Sequence, residues 1–307
     1  MKGYEIRKIK FIDSLNESYR YLCGILKCEP KGRISSWLDV ALYYLAVDQL
    51  ETENGYYDKA ADFLSDIGKM QSDRDLIVVK MDKDNINREK YRYLKEVYKK
   101  PDEDKNDHGT YKFGAFKGSK EDFTLEQNSI HQALILLKKY QHNYYHKITT
   151  LIEEFLVCGK LDNGFMRSST TVRCFGCVVN TALTKGNVGQ YIEDLVHESA
   201  HLELYLIQLD DPLVLNDKES TYKAPFRPDS RPMYGIYHAM YVLAHIIKCL
   251  NGLRSTFVAK DTLGNLDFLI GRAKKRFDES YSIVDQYSVL TEKGRHIKNS
   301  MHGLVVD

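Results

Sequence analysis

"DLVHESAHLELYLIQL", Asp194–Leu209, decides how the chain is read. His197 and His201 stand four residues apart, so a helix at about 100° per residue places them nearly one above the other. With His197 set at zero, Asp194, Glu198, Leu204, Tyr205 and Gln208 fall in the same stripe. Ile192, Leu195, Leu202, Leu206 and Leu209 fall on the other side. A thick apolar face with a narrow stripe of His, Glu, Tyr and Asp describes a buried helix lining a polar cavity. The pair His197-Glu198-Ser199-Ala200-His201 on such a helix predicts a metal site rather than two solvated histidines.

A metal held by two histidines needs a third protein ligand. The metzincin continuation demands Gly and then His at fixed offsets, but Leu204 and Ile207 occupy those places, which removes that class. A gluzincin demands a later Glu. Glu219, in "NDKESTYKAP", is the nearest, in a polar stretch without helical pattern. Histidine offers more. "RPMYGIYHAMYVLAHIIKCL", from Arg231, is helical in pattern after its Pro, and Tyr234, His238, Tyr241 and His245 share one face of it. His238 is near the helix start, beside the connection returning from the motif helix, and is taken as the third ligand. His245, two turns deeper, reads as a core histidine.

Between the two helices, "STYKAPFRPDSRP" carries Lys223, Arg227 and Arg231, with Tyr222 nearby. Four of the six prolines, Pro212, Pro225, Pro228 and Pro232, lie in this connection and make it an extended, fixed loop. An arginine so held can grip a carboxylate bidentately. A peptidase has no need of two such arginines beside its metal. An iron(II) oxygenase does, because 2-oxoglutarate chelates the metal at its keto-acid end and needs a cation at its far carboxylate. Arg227, Arg231 and Tyr222 are therefore the candidate cosubstrate residues. Glu198 does not separate the readings: it is the general base in a zinc peptidase and a compensating or water-orienting carboxylate in the oxygenase. A third reading is a non-enzymatic peptide-binding protein.

These residues carry a resemblance. The run from Leu195 to Ile246, "LVHESAHLELYLIQLDDPLVLND…YKAPFRPDSRPMYGIYHAMYVLAHI", is similar to the HExxH-motif peptide-modification family of bacterial ribosomal-peptide biosynthesis, the 2-oxoglutarate-dependent HExxH-type peptide β-hydroxylases. The matching elements are LVHE-x-x-H, the D-P-L after the helix, a Pro-flanked R-P-D-x-R-P and G-x-x-H heading the next helix. "LTEKGR", Leu290–Arg295, resembles that family's C-terminal segment. Phe226 stands where the family often has Trp. The dense match covers about a sixth of the chain. The resemblance implies iron(II), 2-oxoglutarate and oxygen, a precursor peptide hydroxylated at a side-chain β-carbon, His197, His201 and His238 as ligands, and Arg227 or Arg231 on the cosubstrate.

The rest of the chain sets the frame. At 307 residues with 43% apolar and 28% charged residues it is expected to fold as a globular protein. A formal charge of +1 gives no general attraction to nucleic acid or an anionic membrane. The charged N-terminus lacks the apolar core of a signal peptide, and no span-length apolar run occurs, so a cytoplasmic location is expected. The six cysteines form no disulfide framework, and "RCFGC", Arg173–Cys177, lacks the second half of a zinc site; its cysteines read as small apolar side chains.

The expected fold class is mainly α with a small β component (α+β), the metal site being built from the motif helix and the one after it. "SSWLDVALYYLAVDQLE" reads as a Ser-capped helix, "DLIVVKM" as a strand, Leu125 to Val157 as one long helix and "VRCFGCVVNTAL" as strand. The motif helix is expected to start near Gly189, and the tail from Gly264 to His302 reads as helical. Lys99 to Glu121, charged and Gly-containing, reads as a mobile loop or a seam. The expected division is 1–122, a helical region where the peptide could dock, and 123–307, the catalytic region.

Overall fold

A computed structural model describes residues 2–52, 55–69, 76–86, 89–99, 113–160, 167–182, 185–224, 230–256 and 266–306. It is mainly helical, with a small mixed four-stranded sheet and a separate hairpin. Among the described residues no helix is long and apolar enough to cross a membrane. The chain divides into two compact units.

The first unit draws on the described residues within Met1–Pro101, Gly109–Lys117 and Thr149–Ala182. Its helices are α1 (Gly3–Leu26), α2 (Trp37–Leu50), α3 (Tyr57–Asp66), α4 (Lys83–Ile86) and α5 (Glu89–Lys99). Ser36 caps α2 as its sequence predicts. The Ser36 hydroxyl accepts from the Asp39 N–H and the Asp39 carboxylate accepts from the Ser36 N–H, so two orphan donors of the first turn are satisfied reciprocally. Trp37, Leu38, Val40, Ala41 and Leu45 then enter the core. The sheet runs in the order β1 (Ile77–Lys80), β2 (Glu154–Cys158), β4 (Cys177–Thr181), β3 (Ser168–Ser169). β1, β2 and β4 are parallel, and β3 is antiparallel to β4.

The second unit draws on the described residues within Asp102–His108, Gly118–Ile148 and Leu183–Asp307. It holds α6 (Lys120–Tyr140), most of α7 (His142–Leu151), α8 (Val188–Gln208), the hairpin β5 (Thr221–Lys223) and β6 (Ser230–Pro232), α9 (Met233–Arg254), α10 (Leu266–Tyr287) and α11 (Glu292–Val306). Helix α9 is the hub: α8, α10 and α11 all pack on it, and α6 packs on α8.

Two expectations are corrected. Leu125 to Val157 is not one helix. The chain breaks at Gln141 (φ −134°, ψ 52°), where the Gln141 amide packs against Gly252 so closely that a Cβ there would lie 2.2 Å from it. The helix resumes as α7 and ends before β2. All five residues of β2, EFLVC, are buried, so this parallel strand lacks the alternation that marks a half-exposed one. Its apolar run cannot be told from helix by period alone. The expected loop through Glu121 is also shorter, because Ser119 caps α6 and Lys120 and Glu121 lie in its first turn. Residues 100–112 of that stretch lie outside the described residues.

Candidate functional site

The motif helix α8 is fixed at both ends before its histidines are placed. At its start the Asn187 side chain accepts from the Gln190 N–H. The Glu126 carboxylate of α6 accepts from the Tyr191 hydroxyl at 2.6 Å and the Gly186 N–H at 3.0 Å. Glu193 is gripped by Arg272 of α10 at 2.6 Å. At the far end, two of the short segments that carried the resemblance meet. The Asp211 carboxylate accepts from the Thr291 hydroxyl at 2.7 Å and the Leu213 N–H at 2.8 Å, and the Leu213 carbonyl accepts from the Thr291 N–H at 3.1 Å. Thr291 in turn accepts from the Gly294 N–H, and the Tyr237 hydroxyl of α9 donates to the Gly294 carbonyl at 2.8 Å. The D-P-L and L-T-E-K-G-R segments thus form one staple between the exit of α8 and α9.

Between these anchors His197 and His201 come together, with Nε2 atoms 3.1 Å apart and ring centroids 4.8 Å apart. Glu198 is 1% exposed, and its carboxylate lies 3.9 Å from His197 Nε2. His238, on α9, lies 5.7 Å from His201, centroid to centroid. Tyr205 and Tyr234 flank His238 at 5.5 and 5.9 Å. His238 Nε2 is 2.9 Å from the amide oxygen of Gln208, about two turns along α8 from His201. Burial lowers the His201 pKa to about 4; burial, then the neighbouring His201, lowers that of His238 to about 3. Both imidazoles are neutral at pH 7, the form that offers a lone pair to a metal.

The ring placement can be tested against one metal ion. With a metal–nitrogen bond of about 2.1 Å, two ligands at right angles have nitrogens about 3.0 Å apart and ring centroids about 4.5 Å apart, rising to about 6.4 Å at opposite positions. The His197–His201 nitrogens and both centroid separations fall in that range. The nitrogen of His238 does not yet join them, since it faces Gln208. His201 Nδ1 is buried without a hydrogen-bond partner, whereas a ligating histidine usually donates from its second nitrogen. Among the described residues no group of three or more His, Cys, Asp or Glu is assembled to hold a metal. Two histidines therefore fit as they stand, and the third fits in ring position alone.

The hairpin brings two of the three candidate cosubstrate residues together. Tyr222 pairs directly with Arg231 across β5 and β6. The Tyr222 hydroxyl accepts from the Asn216 amide at 3.0 Å, and its ring lies 5.8 Å from Tyr287. Arg231 is two residues before the start of α9, which packs on β6. Arg227, Phe226, Pro225 and Pro228 lie outside the described residues. Glu219, the peptidase candidate, is exposed on the turn before β5.

Within the predicted polar stripe the outcome is uneven. Leu204 is fully buried, whereas Leu209, assigned to the apolar face, is 52% exposed because the helix has ended at Gln208. Sequence reasoning also missed a buried polar cluster around Glu203 and His245. Lys147 of α7 is hydrogen-bonded to Glu203 of α8. His245 lies beside them, its Nε2 3.9 Å from the Glu203 carboxylate and its Nδ1 3.3 Å from the Tyr144 hydroxyl. The Tyr241 ring packs 4.7 Å from His245. The available signal was Glu203 beside the apolar face of α8 and Lys147 in the apolar-flanked run "YYHKITTLI". Compared with known proteins, the chain matches no family model and no curated protein.

Proposed function

We propose that the chain is an iron(II)- and 2-oxoglutarate-dependent oxygenase that hydroxylates a peptide side chain at its β-carbon, acting on a ribosomally made precursor peptide. The observation that carries the reading is the convergence of the His197 and His201 nitrogens 3.1 Å apart, with the ring of His238 within a one-metal distance of His201. Iron(II), when bound, would supply oxygen activation coupled to conversion of 2-oxoglutarate to succinate and carbon dioxide. The chain's own residues do the rest. His197 and His201 would hold the ion, and His238 would join them by turning from Gln208. Imidazole ligands bring no negative charge, and the buried Glu198 carboxylate beside His197 would offset part of the ion's charge or orient a bound water. Arg231 would take the far carboxylate of 2-oxoglutarate, with Tyr222, opposite it on the hairpin, as a neighbouring hydroxyl. Arg227 remains a second candidate for that role.

The zinc peptidase is the rival, with Glu198 as general base. It gains nothing from Glu219, which is exposed on a turn and belongs to no metal-holding group among the described residues. Anaerobic reconstitution with iron(II), followed by oxygen and 2-oxoglutarate with candidate precursor peptides, should yield peptide-stimulated succinate. Tight zinc binding with no succinate under any condition would discard the oxygenase reading. Absence of tight binding of either metal would favour a non-enzymatic peptide-binding protein.

A further inference from the structure

The C-terminus of α1 brings two thiols together. Lys27 takes the left-handed conformation there (φ 53°, ψ 34°) and ends the helix. The Cys28 N–H donates to the Cys23 carbonyl at 3.0 Å and the Lys27 N–H to the Gly24 carbonyl at 3.4 Å. These bonds are the Schellman motif, whose accompanying side-chain contact joins the residue just past the left-handed one to the residue five earlier. Those two positions are Cys28 and Cys23. In most helices this contact is between aliphatic side chains. Here both positions carry thiols.

The pair differs from the other cysteines in access as well. Cys158, Cys174, Cys177 and Cys249 are all buried, as is Cys23; Cys28 alone of the six is partly exposed. Burial, then the Cys28 hydrogen bond, raises the Cys23 thiol to about 12, so Cys23 is the protected member and Cys28 the one an oxidant meets. Cysteines bridged by a disulfide have their Cα atoms roughly 4.4–6.8 Å apart, and the bond from the Cys28 N–H to the Cys23 carbonyl holds these two residues close on one turn.

We propose that Cys23 and Cys28 are a reversible dithiol–disulfide pair, a modification site oxidised by hydrogen peroxide. The Cys28 thiolate attacks one peroxide oxygen, the O–O bond breaks, and the departing hydroxide takes a proton to give water. The Cys23 sulfur then attacks the Cys28 sulfenic acid, forming S–S, breaking S–O and releasing a second water. Two thiols lose two electrons and two protons, and peroxide is reduced to two waters. A small dithiol reverses the change by exchange.

The full chain is treated with peroxide, the peroxide is removed, and free thiols are alkylated while the protein is unfolded in denaturant, before trypsin is added. Cleavage after Arg20, Lys27 and Lys31 puts the cysteines on separate peptides, Tyr21–Lys27 and Cys28–Lys31. The expected product is these two peptides linked, about 2 Da lighter than their reduced sum and separated again by dithiothreitol. Cys28→Ser, at a partly exposed position, should leave Cys23 reduced through the peroxide treatment and therefore alkylated once the protein is unfolded. Cys28 oxidised to sulfinic acid while Cys23 stays free, or Cys28 linked to another cysteine or another chain, would overturn the proposal.

Discussion

Replacing Lys147 by Met should destabilise the second unit by about 3 kcal/mol. The Lys147 and Glu203 side chains are 10% and 14% exposed, so little water screens the pair. Met keeps most of the aliphatic stem and removes only the ammonium, which sits 5.4 Å from the Tyr144 ring centroid. What is lost is the charge, which leaves the Glu203 carboxylate buried beside a neutral His245. Breaking one side of a buried pair costs about 3–5 kcal/mol. The lower end applies because Tyr241 still hydrogen-bonds the carboxylate and a sliver of surface remains. Urea unfolding read by circular dichroism measures the change as a shift in midpoint at constant slope. Lys147→Met with Glu203→Gln should recover at least half of the loss, since no buried charge is then stranded. The pH dependence follows from Glu203. Burial raises its carboxyl, Lys147 with the further help of His245 and Tyr241 more than offsets this, and the net pKa is below the ordinary value. A depressed folded pKa means the stabilisation is present above the ordinary carboxylate range and is lost as pH falls through the folded value. Lys147→Met should lose that acid dependence. A variant within about 0.5 kcal/mol of the parent would show the pair to be screened and the reasoning wrong.

His197→Ala and His201→Ala should each abolish tight iron(II) binding in equilibrium dialysis, and His238→Ala should weaken it at least tenfold; normal binding by His238→Ala with loss in Glu219→Ala would move the third ligand to the peptidase position. Arg231→Leu should raise the 2-oxoglutarate concentration needed for half-maximal succinate formation by at least tenfold with metal content unchanged; an unchanged requirement would shift the anchor to Arg227 or Lys223. Gly294→Ala should cost about 1–3 kcal/mol in urea unfolding, because its Cβ would lie 2.3 Å from the Leu213 carbonyl oxygen and the staple would have to open.

The helical half of the fold was legible wherever a cap and a period agreed. Ser36 starts α2, and the motif helix, expected to start near Gly189, is α8 from Val188. β1 was legible from its run of Ile and Val between polar residues. β2 was not, because a strand buried on both faces carries no alternation and its neighbour α7 supplied a helical context. In the site, the proximity of His197 to His201 follows from spacing alone, and the shared face of His238 and His245 follows from offsets of seven. The bond from His238 to Gln208 does not, because it depends on the distance between two helices. The Lys147–Glu203 pair was hidden for the same reason, as its members are 56 residues apart. The D-P-L and L-T-E-K-G-R segments were legible as motifs, but their mutual hydrogen bonds required the fold.

The most direct test of the central claim is the mass of a precursor peptide after incubation with the full chain, iron(II), 2-oxoglutarate and oxygen. The account predicts an uncut peptide heavier by one oxygen atom, with the hydroxyl on a β-carbon, and no change when 2-oxoglutarate is omitted or His201 is replaced by Ala. Two peptide fragments produced with zinc, indifferent to 2-oxoglutarate and abolished by Glu198→Gln, would contradict it.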